Sequence, residues 1–227
     1  MKPSMTRAKA LAISALLCSA CVHVDKSSDT TAAATSDTST AAVYAGVIAD
    51  MTTAIHNVAR KHRFDLDSMP AGWLEATYMA NASARPDVGE YFTRYAAYAA
   101  EVDARLDSII DSVTTRRFAM ANFAAKDAQE LRAGFDRGLA KTKTGQRDMI
   151  AAMKQQAAAA LRLHEYLVRV DPRVSLSPKD STLVFDRPAE YDTFMKLAAA
   201  TDSANASAAR VFGAASAKMD SVRKSGG

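Results

Sequence analysis

The stretch VGEYFTRYAAYAAEVDARLDSIIDSV, residues 88–113, decides the fold class. Val88, Phe92, Tyr95, Ala99, Val102, Leu106, Ile109 and Val113 recur at steps of four and three. Only an α-helix brings residues at that spacing onto one face, so this face is expected to be buried against neighbours. Pro86 stands at the start, where a missing backbone N–H costs nothing, and Asp87 and Glu90 suit the positive end of the helix dipole.

The same period extends outward on both sides. Upstream, Tyr44, Ile48, Met51, Ile55, Val58 and His62 form a second stripe, with Ser39 or Thr40 available to cap it. Between the two, residues 62–70 read as a connector. Pro70 then opens a short helix over 71–81 carrying Trp73, Leu74, Tyr78 and Met79. Downstream of Val113 the phase changes. Met120 and Phe123 continue the first stripe, whereas Leu131, Phe135 and Leu139 lie on a rotated face. Either one bent helix covers 86–140 or two helices meet near residues 123–127, and the absence of proline or glycine there favours one. Lys141-Thr142-Lys143-Thr144-Gly145-Gln146 has the composition of a helix stop followed by a turn.

A further helix carries Ile150, Met153, Ala157, Ala160, His164 and Leu167 and ends at Asp171-Pro172. A proline-bearing loop follows, in which Leu183-Val184-Phe185 is expected to anchor on the helices. Pro188 opens the last helix, with Tyr191, Met195, Ala198, Ala209, Phe212 and Met219 inward, running to about Arg223 before a disordered Gly226-Gly227 end. The expected fold is therefore all-α: an antiparallel bundle of about four long helices plus one short helix. No repeat of solenoid length is visible.

The first residues read differently. Lys2, Arg7 and Lys9 precede the short apolar run Leu11 to Leu17, which closes on small residues before Cys21. Basic start, short apolar centre and small-residue end are the parts of a secretory signal, assigned here to residues 1–20. Cys18-Ser19-Ala20-Cys21 resembles the processing site of bacterial lipoproteins, with Cys18 in place of the usual leucine. The resemblance implies a diacylglyceryl group on Cys21, a membrane anchor and a domain facing the periplasm. Val22 lacks the aspartate that holds some lipoproteins at the inner membrane, which leans towards the outer one. Cleavage after Ala20 without lipidation would leave a soluble periplasmic chain. Residues 21–40 are rich in Ser, Thr, Asp and Ala, with no large apolar residue after Val24. They read as a disordered tether with a reach of roughly 20 to 25 Å. Residues 41–227 are read as one helical-bundle domain.

Losing the signal also removes three basic residues, which lowers the formal charge from +4 to +1. That near-balance gives no basic footprint for nucleic acid. Of the two cysteines, Cys18 leaves with the signal, so the mature chain has no internal disulfide and depends on core packing.

Motifs for chemistry are sparse. Three residues before His56, His62 and His164 stand Thr53, Ala59 and Leu161, so no Glu-x-x-His metal pair exists. Asp65-Leu66-Asp67 begins like a calcium loop but has Pro70 where the EF-hand glycine belongs. There is no Cys-x-x-Cys-His, no Gly-x-Ser-x-Gly and no phosphate-binding glycine loop. No cofactor and no enzyme activity are expected. Two binding arrangements compete with simple packing. Trp73, Tyr78, Tyr91, Tyr95 and Tyr98 form an aromatic group with hydroxyl tips, suited either to lining a pocket or to filling the core. His62 and His164 fall in the apolar phase of their helices and suit either a haem or metal grip or hydrogen-bonded positions at helix ends. The function expected is structural or interactive: a lipid-anchored bundle in the cell envelope meeting a protein partner. The alternative is a periplasmic bundle that binds a small ligand, haem or metal. Oligomeric state is not encoded in any of these patterns.

Overall fold

The structure, a computed structural model, describes residues 34–121 and 123–225. The signal segment, Cys21, the greater part of the tether and Gly226-Gly227 lie outside the described residues. Four long helices dominate: α1 (Ala34–Lys61), α3 (Arg85–Met120), α4 (Ala125–Val170) and α5 (Pro188–Ser225), with α2 (Ala76–Met79) a single turn. The only strands among the described residues, β1 (Val174–Leu176) and β2 (Leu183–Phe185), pair antiparallel with Val174 opposite Phe185. The protein is an all-α helical bundle, as its periodicity requires.

Several boundaries differ from the sequence reading. Helix α1 begins at Ala34, so its first turns take in residues assigned to the tether and precede the expected cap at Ser39 or Thr40. The short helix over 71–81 shrinks to α2, because Gly72 takes a left-handed φ of 69° and Glu75 is extended. A helix cannot propagate through either geometry. Residues 86–140 are not one helix: α3 stops at Met120 and α4 starts at Ala125. Phe118 and Phe135 explain the break. In a continuous helix they would be separated by roughly 25 Å, yet their rings lie 6.0 Å apart because the chain reverses between them. Phe118 is the buried residue here, while Met120, expected inward, is 69 % exposed.

The expected turn at 141–146 is absent, and α4 runs straight through it. Phe135, Leu139, Thr142, Gln146, Met149 and Met153 are all buried and keep the steps of four and three. Two stripe positions are polar, which hid the stripe in the sequence. Thr142 satisfies its hydroxyl within the helix by donating to the Leu139 carbonyl at 2.9 Å. In α5 the buried face is turned by about one residue from expectation: Phe194, Thr201 and Ala208 are buried, whereas Tyr191 and Met195 are each 46 % exposed. Ala209 is exposed, and Ala198 and Phe212 are half-buried; the side chain of Met219 lies outside the described residues. An alanine-rich helix carries little periodic signal, and Phe194 is fixed by the Phe185 ring of the hairpin, 5.1 Å away. In α1, Val47 rather than Ile48 is fully buried.

Residues 41–227 were read as one domain, but the chain groups into two compact units, with α3, α4 and α5 each contributing to both. The first comprises Met1–Val58, Glu101–Met149 and Phe212–Gly227. Its core places Tyr44 against Phe118 and Phe135 at 6.2 and 5.4 Å. Asp107 pairs with Lys143 and Arg147, and Asp111 pairs with Arg132, so α3 and α4 run antiparallel there. Asp50 on α1 takes Arg117 through both carboxylate oxygens, at 2.5 and 2.8 Å, and Arg116 at 2.7 Å. The Arg117 hydrogen bonds, with help from Arg116, pull the Asp50 carboxyl down to about 2. Gly46 makes room for this pair: a Cβ there would lie 3.2 Å from the Arg117 guanidinium carbon.

The continuity of α4 makes Gly145 a testable position. It is exposed, helical, and a Cβ on it would meet nothing within 4 Å. Gly145→Ala should raise stability by ~0.5–1 kcal/mol in urea unfolding, the ordinary gain inside a helix. A loss of stability would instead indicate a left-handed turn at this residue.

Candidate functional site

The second unit, Ala59–Ala100 with Ile150–Val211, holds most of the residues singled out in the sequence. Its geometry starts at the end of α1. Phe64 N–H donates to the Ala59 carbonyl at 2.9 Å and Arg63 N–H to the Arg60 carbonyl at 3.0 Å. These two bonds form a Schellman motif, whose C′ residue must be left-handed and is usually glycine. Here it is Arg63, with φ 49°. A non-glycine residue in that region costs roughly 1–2 kcal/mol. What the strained turn achieves is the entry of Phe64 into the core.

Phe64 packs against the tyrosine stripe of α3. Its ring stacks on Tyr95 at 4.9 Å and Tyr98 at 4.8 Å, and meets Tyr91 at 5.6 Å. Tyr91, Tyr95 and Tyr98 recur at the helical spacing that shares one face, so one inserted ring reaches all three. Trp73 belongs to a neighbouring pair with Phe92, 4.7 Å between centroids. Tyr78 stands apart from both, half-buried, donating to the Ala84 carbonyl at 3.2 Å. The five aromatic residues thus divide into a tyrosine face, a Trp–Phe pair and a peripheral tyrosine. The volume that a pocket would need within the tyrosine face is occupied by Phe64. Beside Trp73 and Tyr78 remains a cavity of about 10 Å³, close to one water in size.

The hydroxyls have separate fates. Tyr95 donates to Gln156 Oε1 at 3.2 Å, and Gln156 in turn donates to Asn205 at 2.9 Å, a polar thread from α3 through α4 to α5. The Tyr98 hydroxyl is buried with no partner. Burial pushes the Tyr98 phenol up to about 12 and holds those of Tyr91 and Tyr95 well above their usual range. All three therefore stay protonated near neutral pH and are suited to donating hydrogen bonds, not to acting as bases.

The two histidines sit in different surroundings. His62 is half-buried just past the end of α1. His164, on α4, borders the small cavity with Arg85 and lies over the backbone of Gly89. Among the described residues, no group of three or more His, Cys, Asp or Glu is arranged to hold a metal ion. Burial, joined by repulsion from Arg85, lowers the His164 pKa against a smaller opposing pull from Glu165.

Two features of this unit had no signal in the sequence. Arg85 is 4 % exposed, donates to the carbonyls of Met79 at 2.8 Å and Leu167 at 3.2 Å, and pairs with Asp171. It ties the end of α2 and the start of α3 to the end of α4. Nothing at the level of spacing marks it as buried, since an arginine before a proline reads as an exposed helix start. The second is an open cleft of about 370 Å³ beside the Schellman turn, bordered by Arg63, Asp65, Asp87, Glu90, Tyr91 and Arg94.

The fold and the site define a class, an all-α bundle with a closed aromatic core and no assembled catalytic group among the described residues. Comparison of the chain with protein-family models, curated sequences and solved structures found no match.

Two outcomes follow from His164 and Gly89. A Cβ on Gly89 would lie 2.3 Å from His164 Nε2. Gly89→Ala should therefore cost ~1–3 kcal/mol in chemical denaturation, the usual penalty for overpacking. The folded pKa of His164 lies below its unfolded value of about 6.5, so unfolding takes up a proton as pH falls. The His164 contribution should be complete above that value and diminish below it, and His164→Gln should flatten that part of the stability–pH curve.

Proposed function

We propose that this chain is an exported protein of the bacterial cell envelope, lipid-anchored through Cys21, whose helical bundle serves a structural or interaction role towards a protein partner. It acts without a cofactor and is not an enzyme. The observation that carries the interaction reading is the filled aromatic core. Phe64 takes the space that a small-ligand pocket would need among Tyr91, Tyr95 and Tyr98, which leaves the outer surface for recognition. That surface includes apolar side chains that a self-contained bundle has no need to expose. Val184 on β2 and Tyr191 and Met195 on α5 are 45, 46 and 46 % exposed. Exposed aromatic and methionine side chains are favoured where proteins meet.

The anchor reading rests on the signal and on Ser19-Ala20-Cys21. It is compatible with the described helices, none of which is long and apolar enough to cross a membrane. Attachment then comes from the lipid, with the periplasmic face of the outer membrane favoured by Val22.

Cys21→Ser in the full-length chain should abolish incorporation of labelled lipid and shift the protein from the membrane to the soluble fraction. Unchanged fractionation together with unchanged labelling would overturn the anchor. A photoreactive residue at Tyr191 should form an adduct with a discrete envelope protein, while one at the exposed Gly145 should not. Equal, diffuse labelling from both positions would overturn the interaction surface.

A further inference from the structure

The cleft beside the Schellman turn contains a group that packing does not explain. Tyr91 is 6 % exposed and lines the cleft, and its hydroxyl finds no hydrogen-bond partner among the described residues. A tyrosine this buried normally satisfies its hydroxyl. The hydroxyl lies within the field of Asp65 and Asp67, which helps hold its proton in place.

The charges around it are unevenly spent. Arg94 is engaged twice, by Glu90 and by the Arg63 carbonyl at 3.5 Å. One Asp65 oxygen accepts the Asp67 backbone N–H at 3.0 Å, which leaves the other open. Asp87 has no ion-pair or hydrogen-bond partner among the described residues. Against these unspent acceptors stands one unengaged cation, the Arg63 guanidinium. Asp65 and Asp87 alone are accounted for as acids at helix starts. Tyr91 has no such explanation, and Phe64 gives the cleft an apolar side.

We propose that this cleft receives a primary ammonium group. Asp65 and Asp87 supply negative charge, the Tyr91 oxygen accepts one N–H, and Phe64 and the Tyr91 ring pack against the alkyl stem. An ammonium has three donors and no acceptor, which matches a site with two open carboxylates and a phenol oxygen. Charge-assisted hydrogen bonds of this type are about twice as strong as neutral ones. A larger alkyl cation without N–H donors would leave the phenol oxygen unpaired, and an anion would meet the unspent carboxylates. The ammonium has two natural sources, a free amine or the lysine side chain of a protein partner.

Chemical-shift titration of the purified chain at low ionic strength tests the site with two probes, 1,5-diaminopentane and Nα-acetyl-lysine methylamide. 1-Pentanol and Nα-acetyl-norleucine methylamide serve as uncharged controls. Both amines should give saturable shifts centred on Phe64, Asp87 and Tyr91, and the controls none. Asp87→Asn and Tyr91→Phe, which preserve shape, should each weaken binding by about tenfold or more. Tighter binding of the lysine derivative assigns the site to a partner side chain, and tighter binding of the diamine to a free amine. Absence of saturation with either amine, equal binding of the controls, or undiminished affinity in either variant overturns the proposal. The titration is independent of the lipid on Cys21, so its failure leaves the anchor untouched.

Discussion

At the end of α1 a left-handed arginine turns the chain inward, and Phe64 enters among Tyr91, Tyr95 and Tyr98. The second unit is organised around that insertion. An aromatic side chain buried from water contributes on the order of 2–3 kcal/mol by transfer alone, and stacked pairs add ~0.5–1.5 kcal/mol. Both exceed or match the cost of holding Arg63 left-handed. The same insertion decides what the unit can do. A tyrosine wall without Phe64 would border a cavity, whereas with Phe64 it is a layer of core, and recognition is displaced to the rim.

Close approach in this bundle is managed at a few small residues. Gly46 lets the Arg117 guanidinium lie against α1, where it grips Asp50. Gly89 lets the His164 ring lie against α3. Each glycine sits inside a helix, where it costs about 1 kcal/mol relative to alanine, so each is explained by the side chain it accommodates. Polar side chains also enter the core without disturbing it. Thr142 and Thr201 return their hydroxyls to helix carbonyls, and Gln156 relays the Tyr95 hydroxyl to Asn205. Such internally satisfied groups cost little to bury, which is how α4 passes through a sequence that looks like a turn.

The functional reading follows from this distribution. The interior is occupied, the described titratable groups form no metal cluster, and the buried phenols are held protonated. What remains chemically unspent lies at the surface: the apolar side chains of β2 and α5, and the cleft where Tyr91 meets two open carboxylates. An envelope protein that binds through its surface requires a stable, closed core and little more. The export signal supplies the compartment, and the bundle supplies a rigid support for the recognising groups.

The sequence by itself determined the all-α class, four long helices and the buried stripe from Val88 to Val113, because a period of four and three residues is imposed by the backbone and survives any tertiary context. It also set the export signal and the exclusion of familiar catalytic motifs. Only the tertiary structure decided where helices break and which residues fill the core between them. The break after Met120 depends on Phe118 meeting Phe135, and the continuity at 141–146 depends on Thr142 and Gln146 being covered. The face of α5 depends on Phe185 holding Phe194. The roles of Phe64, Arg85 and Tyr91 were equally invisible, since Phe64 lies in a connector and Arg85 reads as a surface charge. In each case the deciding partner is far away in the chain or belongs to no periodic pattern. Burial is a property of pairs brought together by folding, and a one-dimensional pattern records only one member of each pair.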